Sequence, residues 1–93
     1  MAEKLLDREF VIYRDRNVFL GGKIEDGQLK LESMVYGDDY DSEQHLEFTA
    51  DDTFKIFSLM SFEEFVVFLQ ENHLRGFNDF LIENGIIPKT TTL

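Results

Sequence analysis

The segment GDDYDSEQHLEFTADD, residues 37–52, contains the candidate metal-binding and catalytic side chains of this protein. It carries seven carboxylates and one histidine, with no lysine or arginine. Carboxylates and imidazole can ligate metal ions, transfer protons or attract a positively charged partner. The segment could therefore be a metal loop, a catalytic acid cluster, a binding surface or a solvated turn.

Calcium fits the spacing of this segment poorly. Asp39, Asp41 and Glu43 alternate as oxygen ligands do in calcium loops. An EF-hand, however, needs glycine at loop position six and glutamate at position twelve. Counted from Asp39, those positions hold Gln44 and Ala50. The pattern fails, so calcium is not predicted.

Zinc is also disfavoured by the sequence. His45 and Glu47 lie two residues apart on a predicted strand and so share a face. Zinc needs one or two further ligands, and His73 is the only other histidine. We therefore predict no metal and no cofactor.

Signals for catalysis are weak along the whole chain. There is no cysteine, no Gly-x-Ser-x-Gly and no glycine-rich phosphate loop. Gly21-Gly22 is more typical of a bulge or of tight helix packing. The sequence predicts a protein that is not an enzyme. An enzymatic function would require a pocket lined by two of the acids or by His45 with Glu47.

The acidic charge is concentrated in the second part of the chain. The net charge is −10, and residues 1–30 are balanced with six acids and six bases. Residues 31–54 hold eight acids and no lysine or arginine. Such a field repels phosphate backbones and anionic membranes, so no nucleic-acid or membrane binding is predicted. It favours a basic protein partner, although acidity can also serve solubility alone.

Length and composition predict one cytoplasmic domain. The 93 residues suffice for a single core, and a hydrophobic fraction of 43% argues against disorder. No apolar run approaches the roughly 18 residues of a membrane span. The N-terminal residues MAEKLLDREF do not form a signal peptide. The absence of cysteine is consistent with a reducing compartment.

The first half of the chain alternates in polarity as antiparallel strands do. We predict strands over residues 9–14, 18–24, 28–35 and 45–49, joined by an Asp26-Gly27 hairpin turn and by an acidic loop over residues 37–44. Strict alternation places four apolar side chains on the solvent face of this sheet. They could form the face of a homodimer, with an edge strand as the other route to self-association: Val11, Tyr13, Phe19 and Met34.

The second half changes to a helical period. A helix is predicted over residues 51–59, capped by Thr49 or Asp51, and Ser61-Phe-Glu-Glu64 is a capping box that starts another. Gly76 is predicted to interrupt that helix, and Gly85 to end it. The predicted fold is α+β, a four-stranded antiparallel meander followed by two or three helices packed on one face. The sheet occupies residues 1–50, the helices 51–87, and a frayed tail 88–93.

The order of these motifs resembles a family of small bacterial proteins of uncharacterised function. In that family a DG hairpin precedes an acidic strand, and the chain closes on a helix followed by Gly-Ile-Pro. The resemblance covers about residues 24 to 88, with departures at Val35 and Ile87, and it implies the fold more than an activity. In size and acidity the chain also resembles immunity proteins that neutralise bacterial toxins. The matching residues are Asp26, Gly27, Leu29, Leu31, Ser33, Gly37, Asp41, Phe80, Leu81, Glu83, Gly85 and Ile86.

The function favoured by the sequence is a small binding protein that docks a basic partner, such as a toxin or nuclease, as an immunity-type inhibitor would. Tyr40 adds an aromatic ring that can pair with arginine or lysine by cation–π contact. The alternative is a structural domain that dimerises through its sheet and binds no ligand. The predicted partner-binding residues are Asp38, Asp39, Tyr40, Asp41, Glu43, Glu47, Asp51 and Asp52.

Overall fold

The computed structural model describes residues 7–37 and 41–92. In chain order the elements are β1 (Arg8–Arg14), β2 (Val18–Glu25), β3 (Gln28–Tyr36), β4 (Asp41–Glu47), α1 (Ala50–Leu59), α2 (Phe62–Glu83) and β5 (Lys89–Thr92). The strands form one antiparallel sheet in the order β1-β2-β3-β4-β5. The α+β class and the consecutive order of the first four strands are confirmed.

The sheet has five strands, so the predicted count of four is wrong. Residues 89–92, predicted to fray, pair as β5 with residues 44–47 of β4. Pro88 cannot continue a helix, and the threonines that follow have high β propensity. β5 covers what would otherwise be the free edge of β4.

β4 also differs from its predicted bounds. It begins at Asp41 and ends at Glu47, whereas the sequence predicted a strand over residues 45–49. Val35 and Tyr36 at the end of β3 find partners in Ser42 and Asp41, which draws the acidic residues 41–44 into the sheet. These four residues therefore belong to a strand and not to a loop.

Both helices pack against one face of the sheet. The core between the layers joins aliphatic side chains of the strands to aromatic side chains of the helices. Phe77 is fully buried and contacts Phe48, Phe65, Phe68 and Phe80 through ring pairs with centroids 5.6–6.2 Å apart. The buried core is Ile12, Leu20, Ile24, Leu29, Leu31, Leu46, Phe48, Ile56, Phe65, Leu69, Phe77, Leu81 and Ile86.

Local motifs in the hairpin and at the helix ends follow the sequence. Asp26 and Gly27 have φ values of 54° and 78°, as the predicted two-residue hairpin turn requires. Thr49 caps α1, and Ser61 forms the predicted capping box with Glu64. At the end of α2, Gly85 has φ 68°.

The break in α2 lies at His73 and not at Gly76. His73 has φ 56° and ψ −171°, so the helical course is interrupted there, although the element continues to Glu83. The His73 ring meets the Tyr13 ring edge-on at a centroid distance of 5.7 Å. Two helices are therefore present in the described residues, the second of them kinked.

Candidate functional site

Four polar side chains of β4 lie on the side of the sheet away from the helices, which we call the open face. Asp41, Glu43, His45 and Glu47 alternate along the strand and so share one side. Leu46 lies on the other side and is buried in the core. The polar face predicted to contain His45 and Glu47 thus also includes Asp41 and Glu43.

A glutamate of β3 joins this row. Glu32 is the register partner of His45, and the neighbouring pairs place Ser33 opposite Gln44 and Leu31 opposite Leu46. One potential ligand atom from each of Glu32, Glu43 and His45 lies within 4.8 Å of the others. We call these three residues the Glu–Glu–His cluster.

Within the cluster, His45 is already engaged with an acid. Its Nε2 lies 2.6 Å from Oε1 of Glu43, and the side chains are 32% and 35% exposed. Partial shielding from water strengthens such a hydrogen bond relative to a fully solvated one. Sequence analysis did not single out Glu32, because its approach to His45 depends on the pairing of β3 with β4.

Basic side chains occupy the other end of the open face. The Nζ atoms of Lys23 and Lys30 lie 3.2 Å and 3.4 Å from the carboxylate oxygens of Glu25. Hydrogen bonds from Lys23 and then Lys30 lower the pKa of Glu25. Glu47 stands between Lys30 and Lys89 in the strand register, so its charge is locally balanced. Asp41, Glu43 and Glu32, by contrast, have no lysine as a register partner in the described strands.

The predicted partner-binding residues do not form one patch among those described. Asp41, Glu43 and Glu47 lie together on the open face. Asp51 and Asp52 lie in the first turn of α1, where carboxylates stabilise the positive end of the helix dipole. Asp38, Asp39 and Tyr40 lie outside the described residues.

Three of the four residues of the predicted dimer face lie on the open face of the sheet. Val11 is 52% exposed on the open face. Phe19 and Met34 are register partners on the same side, half-buried, and Arg14 lies over the Phe19 ring at 5.3 Å. These three apolar residues, which we call the apolar strip, cross β1, β2 and β3, and Met34 lies beside its register partner Glu43 of β4.

Tyr13 belongs to the opposite side of the sheet, so its predicted place on the open face is wrong. A register shift between Val11 and Tyr13 pairs Val11 with Gly21 but Tyr13 with Leu20. This bulge at Ile12 turns Tyr13 toward the helices, where it packs on the core. The sequence predicted a bulge or tight helix packing at Gly21-Gly22, and the bulge lies on β1, next to the Val11–Gly21 pair.

The open face carries a depression lined by Glu9, Val11, Phe19, Glu32, His45 and Glu47, among other residues. His45 and Glu47 thus line one concave surface, the arrangement that an enzymatic function would require. The depression is open to solvent, however. It does not supply the apolar enclosure by which acid–base sites separate the pKa values of paired carboxylates.

Comparison of the chain with family models, with curated proteins and with solved structures gives no match. The family resemblance suggested by the motifs stays a prediction. Within residues 7–37 and 41–92, neither helix is long and apolar enough to cross a membrane.

Proposed function

We propose that this protein is a binding domain that docks a basic protein partner on the open face of its sheet. The observation that carries the proposal is that an acidic surface and an apolar surface lie on the same side of the sheet, which no element of residues 7–37 and 41–92 covers. Acids of β3 and β4 stand next to the apolar strip of Val11, Phe19 and Met34. Protein interfaces commonly combine such an apolar centre with charged surroundings.

The distribution of charge supports a basic partner. Asp41 and Glu43 lie at the end of the open face away from Lys23 and Lys30, and Glu32 lies between that end and Lys30. A positive partner would be steered toward these three acids. Basic nucleases and toxins are the first partners to test, because surfaces that bind nucleic acid are positively charged.

Charge reversal on two faces tests this proposal. Asp41→Lys with Glu43→Lys changes the open face, whereas Glu63→Lys with Glu71→Lys makes the same change in charge on exposed positions of α2. Each tagged variant is used to capture partners from lysate, and the captured protein is then purified and its affinity titrated at several salt concentrations. We expect the open-face variant to lose binding and the α2 variant to keep it.

The dependence of partner affinity on salt concentration gives the result that could contradict the proposal. Electrostatic docking weakens steeply as ionic strength rises, since the Debye length falls from about 10 Å at 0.1 M to about 3 Å at 1 M. Binding that is insensitive to salt, or equally reduced in both double variants, would contradict docking through the open face.

Self-association is the second candidate function, favoured by the exposure of Val11 beside Phe19 and Met34. A two-fold dimer would bury the apolar strip against its own copy. Sedimentation at about 100 µM, a concentration suited to weak association, separates the candidates. A dimer that Val11→Lys dissociates supports self-association, and a monomer at that concentration contradicts it.

A further inference from the structure

We propose that Glu32, Glu43 and His45 form a binding site for Zn²⁺. The site goes beyond the docking function, because it concerns a metal ion that the purified chain would bind without any partner. The three side chains come from two neighbouring strands, and one ligand atom of each lies within 4.8 Å of the others.

The donor set selects the ion. One imidazole nitrogen with two carboxylate oxygens suits zinc and similar transition metals. Ca²⁺ and Mg²⁺ prefer ligand shells made wholly of oxygen. Zn²⁺ accepts three protein ligands of these types, at about 2.0–2.2 Å, and leaves a fourth position for water or for a ligand from another molecule.

The backbone that carries the ligands is held on both sides. β3 pairs with β2 and β4, and β4 pairs with β3 and β5. Glu32 and His45 are direct register partners, while Glu43 precedes His45 by two residues on the same side of β4. Ligands at cross-strand and alternate positions therefore converge with little loss of backbone freedom on binding.

Charge and burial around the cluster also favour a cation. The side chains of His45 and Glu43 are about one-third exposed, at 32% and 35%, so part of their hydration is already removed. Lys30 lies two residues from Glu32, but its ammonium group is held 3.4 Å from Glu25. Zn²⁺ would neutralise two adjacent carboxylates and replace the contact between Glu43 and His45.

The experiment is a calorimetric titration of the metal-free purified protein with Zn²⁺ alone, repeated with Mg²⁺ and Ca²⁺. NMR of the two histidine rings identifies the ligand. We expect one Zn²⁺ per chain, with the His45 ring resonances shifted and those of His73 unchanged. His45→Gln, Glu43→Gln and Glu32→Gln should each weaken binding at least tenfold, since loss of even an outer-shell partner typically costs about 10- to 100-fold.

Two matched variants control for general effects. His73→Asn removes the other histidine with a residue that tolerates positive φ, and Glu63→Gln with Glu71→Gln neutralises two acids on α2. Both should bind Zn²⁺ as the parent chain does. Absence of saturable binding, equal binding of Mg²⁺, or an equal loss in the control variants would overturn the site. Because the titration contains no partner, its failure leaves the docking proposal to be judged by charge reversal.

Discussion

The Thr53 hydroxyl accepts a hydrogen bond from the backbone N–H of Leu29 at 2.9 Å, and both residues are fully buried. The contact joins the first turns of α1 to the start of β3, across 24 positions of sequence. It satisfies a main-chain donor that the helix layer shields from water. The junction of α1 with β3 therefore includes one buried polar contact within the apolar core.

Thr53→Val is expected to lower the free energy of unfolding by about 1–3 kcal/mol, because it leaves the buried Leu29 N–H without an acceptor. Thr53→Ser keeps the oxygen and loses one methyl group, so it should cost less than the valine variant. Urea unfolding of both variants checks the order. A valine variant as stable as the serine variant would show that this hydrogen bond contributes little.

Burial sets the cost of truncating the phenylalanines. Phe77→Ala should destabilise the protein by about 3–5 kcal/mol, because it opens a cavity among four aromatic rings. Phe54→Ala makes the same chemical change at a side chain that is 55% exposed. It should alter stability by no more than about 0.5 kcal/mol. Thermal unfolding compares the two, and similar losses would contradict the position of Phe77 in the core.

The capping box of α2 predicts a pH dependence of stability. Hydrogen bonds with the backbone and then the side chain of Ser61 lower the pKa of Glu64 below its ordinary value of 4.5. The deprotonated acid therefore favours the folded state, and its contribution is present above pH 4.5 and lost as the pH falls through the folded pKa.

Glu64→Gln tests this dependence, since its side-chain oxygen can still accept from the Ser61 N–H without titrating. Stability should fall less steeply below pH 4.5 in this variant than in the parent chain. Urea unfolding from about pH 3 to about pH 7 measures how steeply stability falls in each protein, because this range extends to both sides of 4.5. Ser61→Ala should cost about 1 kcal/mol at neutral pH through loss of the cap.

The bulge of β1 predicts an altered titration of Tyr13. Its hydroxyl donates to Oδ2 of Asp15 at 3.0 Å, and this bond, with the charge of Asp15, raises the pKa of Tyr13 above 10.0. The protonated tyrosine favours the folded state. Its contribution is complete below pH 10.0 and lost as the pH rises through the folded pKa.

Asp15→Asn should return the pKa of Tyr13 toward 10.0. NMR of ring-labelled tyrosine follows the titration of Tyr13 separately from the signals of the other two tyrosines. An unchanged Tyr13 titration in the asparagine variant would contradict the contact with Asp15.

Removal of β5 tests the fifth strand. A chain that stops at Pro88 loses the partners of residues 44–47. Amides of β4 that point to β5 should then exchange faster with solvent, while those that point to β3 stay protected. Hydrogen exchange by NMR resolves the two sets. Unchanged exchange along β4 would show that residues 89–92 do not protect it.

Features that depend on local hydrogen bonds and backbone angles could be predicted from the residues alone. The Asp26-Gly27 turn follows from the positive φ values it needs. Ser61 and Glu64 close their capping box within four residues, and the end of α2 follows from Gly85. Alternation and helical period also gave the fold class, since each element reveals which of its sides is apolar.

Strand bounds and the side of the sheet on which a residue lies depend on pairing between residues distant in sequence, so they could not be predicted locally. Pairing with β3 makes β4 begin at Asp41, and pairing with β4 makes residues 89–92 a strand. All four side chains of β5 are exposed, so no apolar pattern in the sequence predicts this strand. A single extra residue in β1 moved Tyr13 to the helix side, and alternation cannot register such a shift. The break of α2 lies at His73, whose ring contacts Tyr13 of β1, and not at a glycine.

The same distinction applies to the candidate site. The sequence placed His45 and Glu47 on one face of a strand, because alternate residues share a face, but it placed Glu43 in the preceding loop. It did not bring Glu32 to His45, since cross-strand register is fixed by the hairpin and by burial of the other face. It also grouped Asp51 with the acids of β4, whereas the turn into α1 carries Asp51 away to a helix terminus. Proximity in sequence located the acids, and the register of the sheet determined which of them stand together.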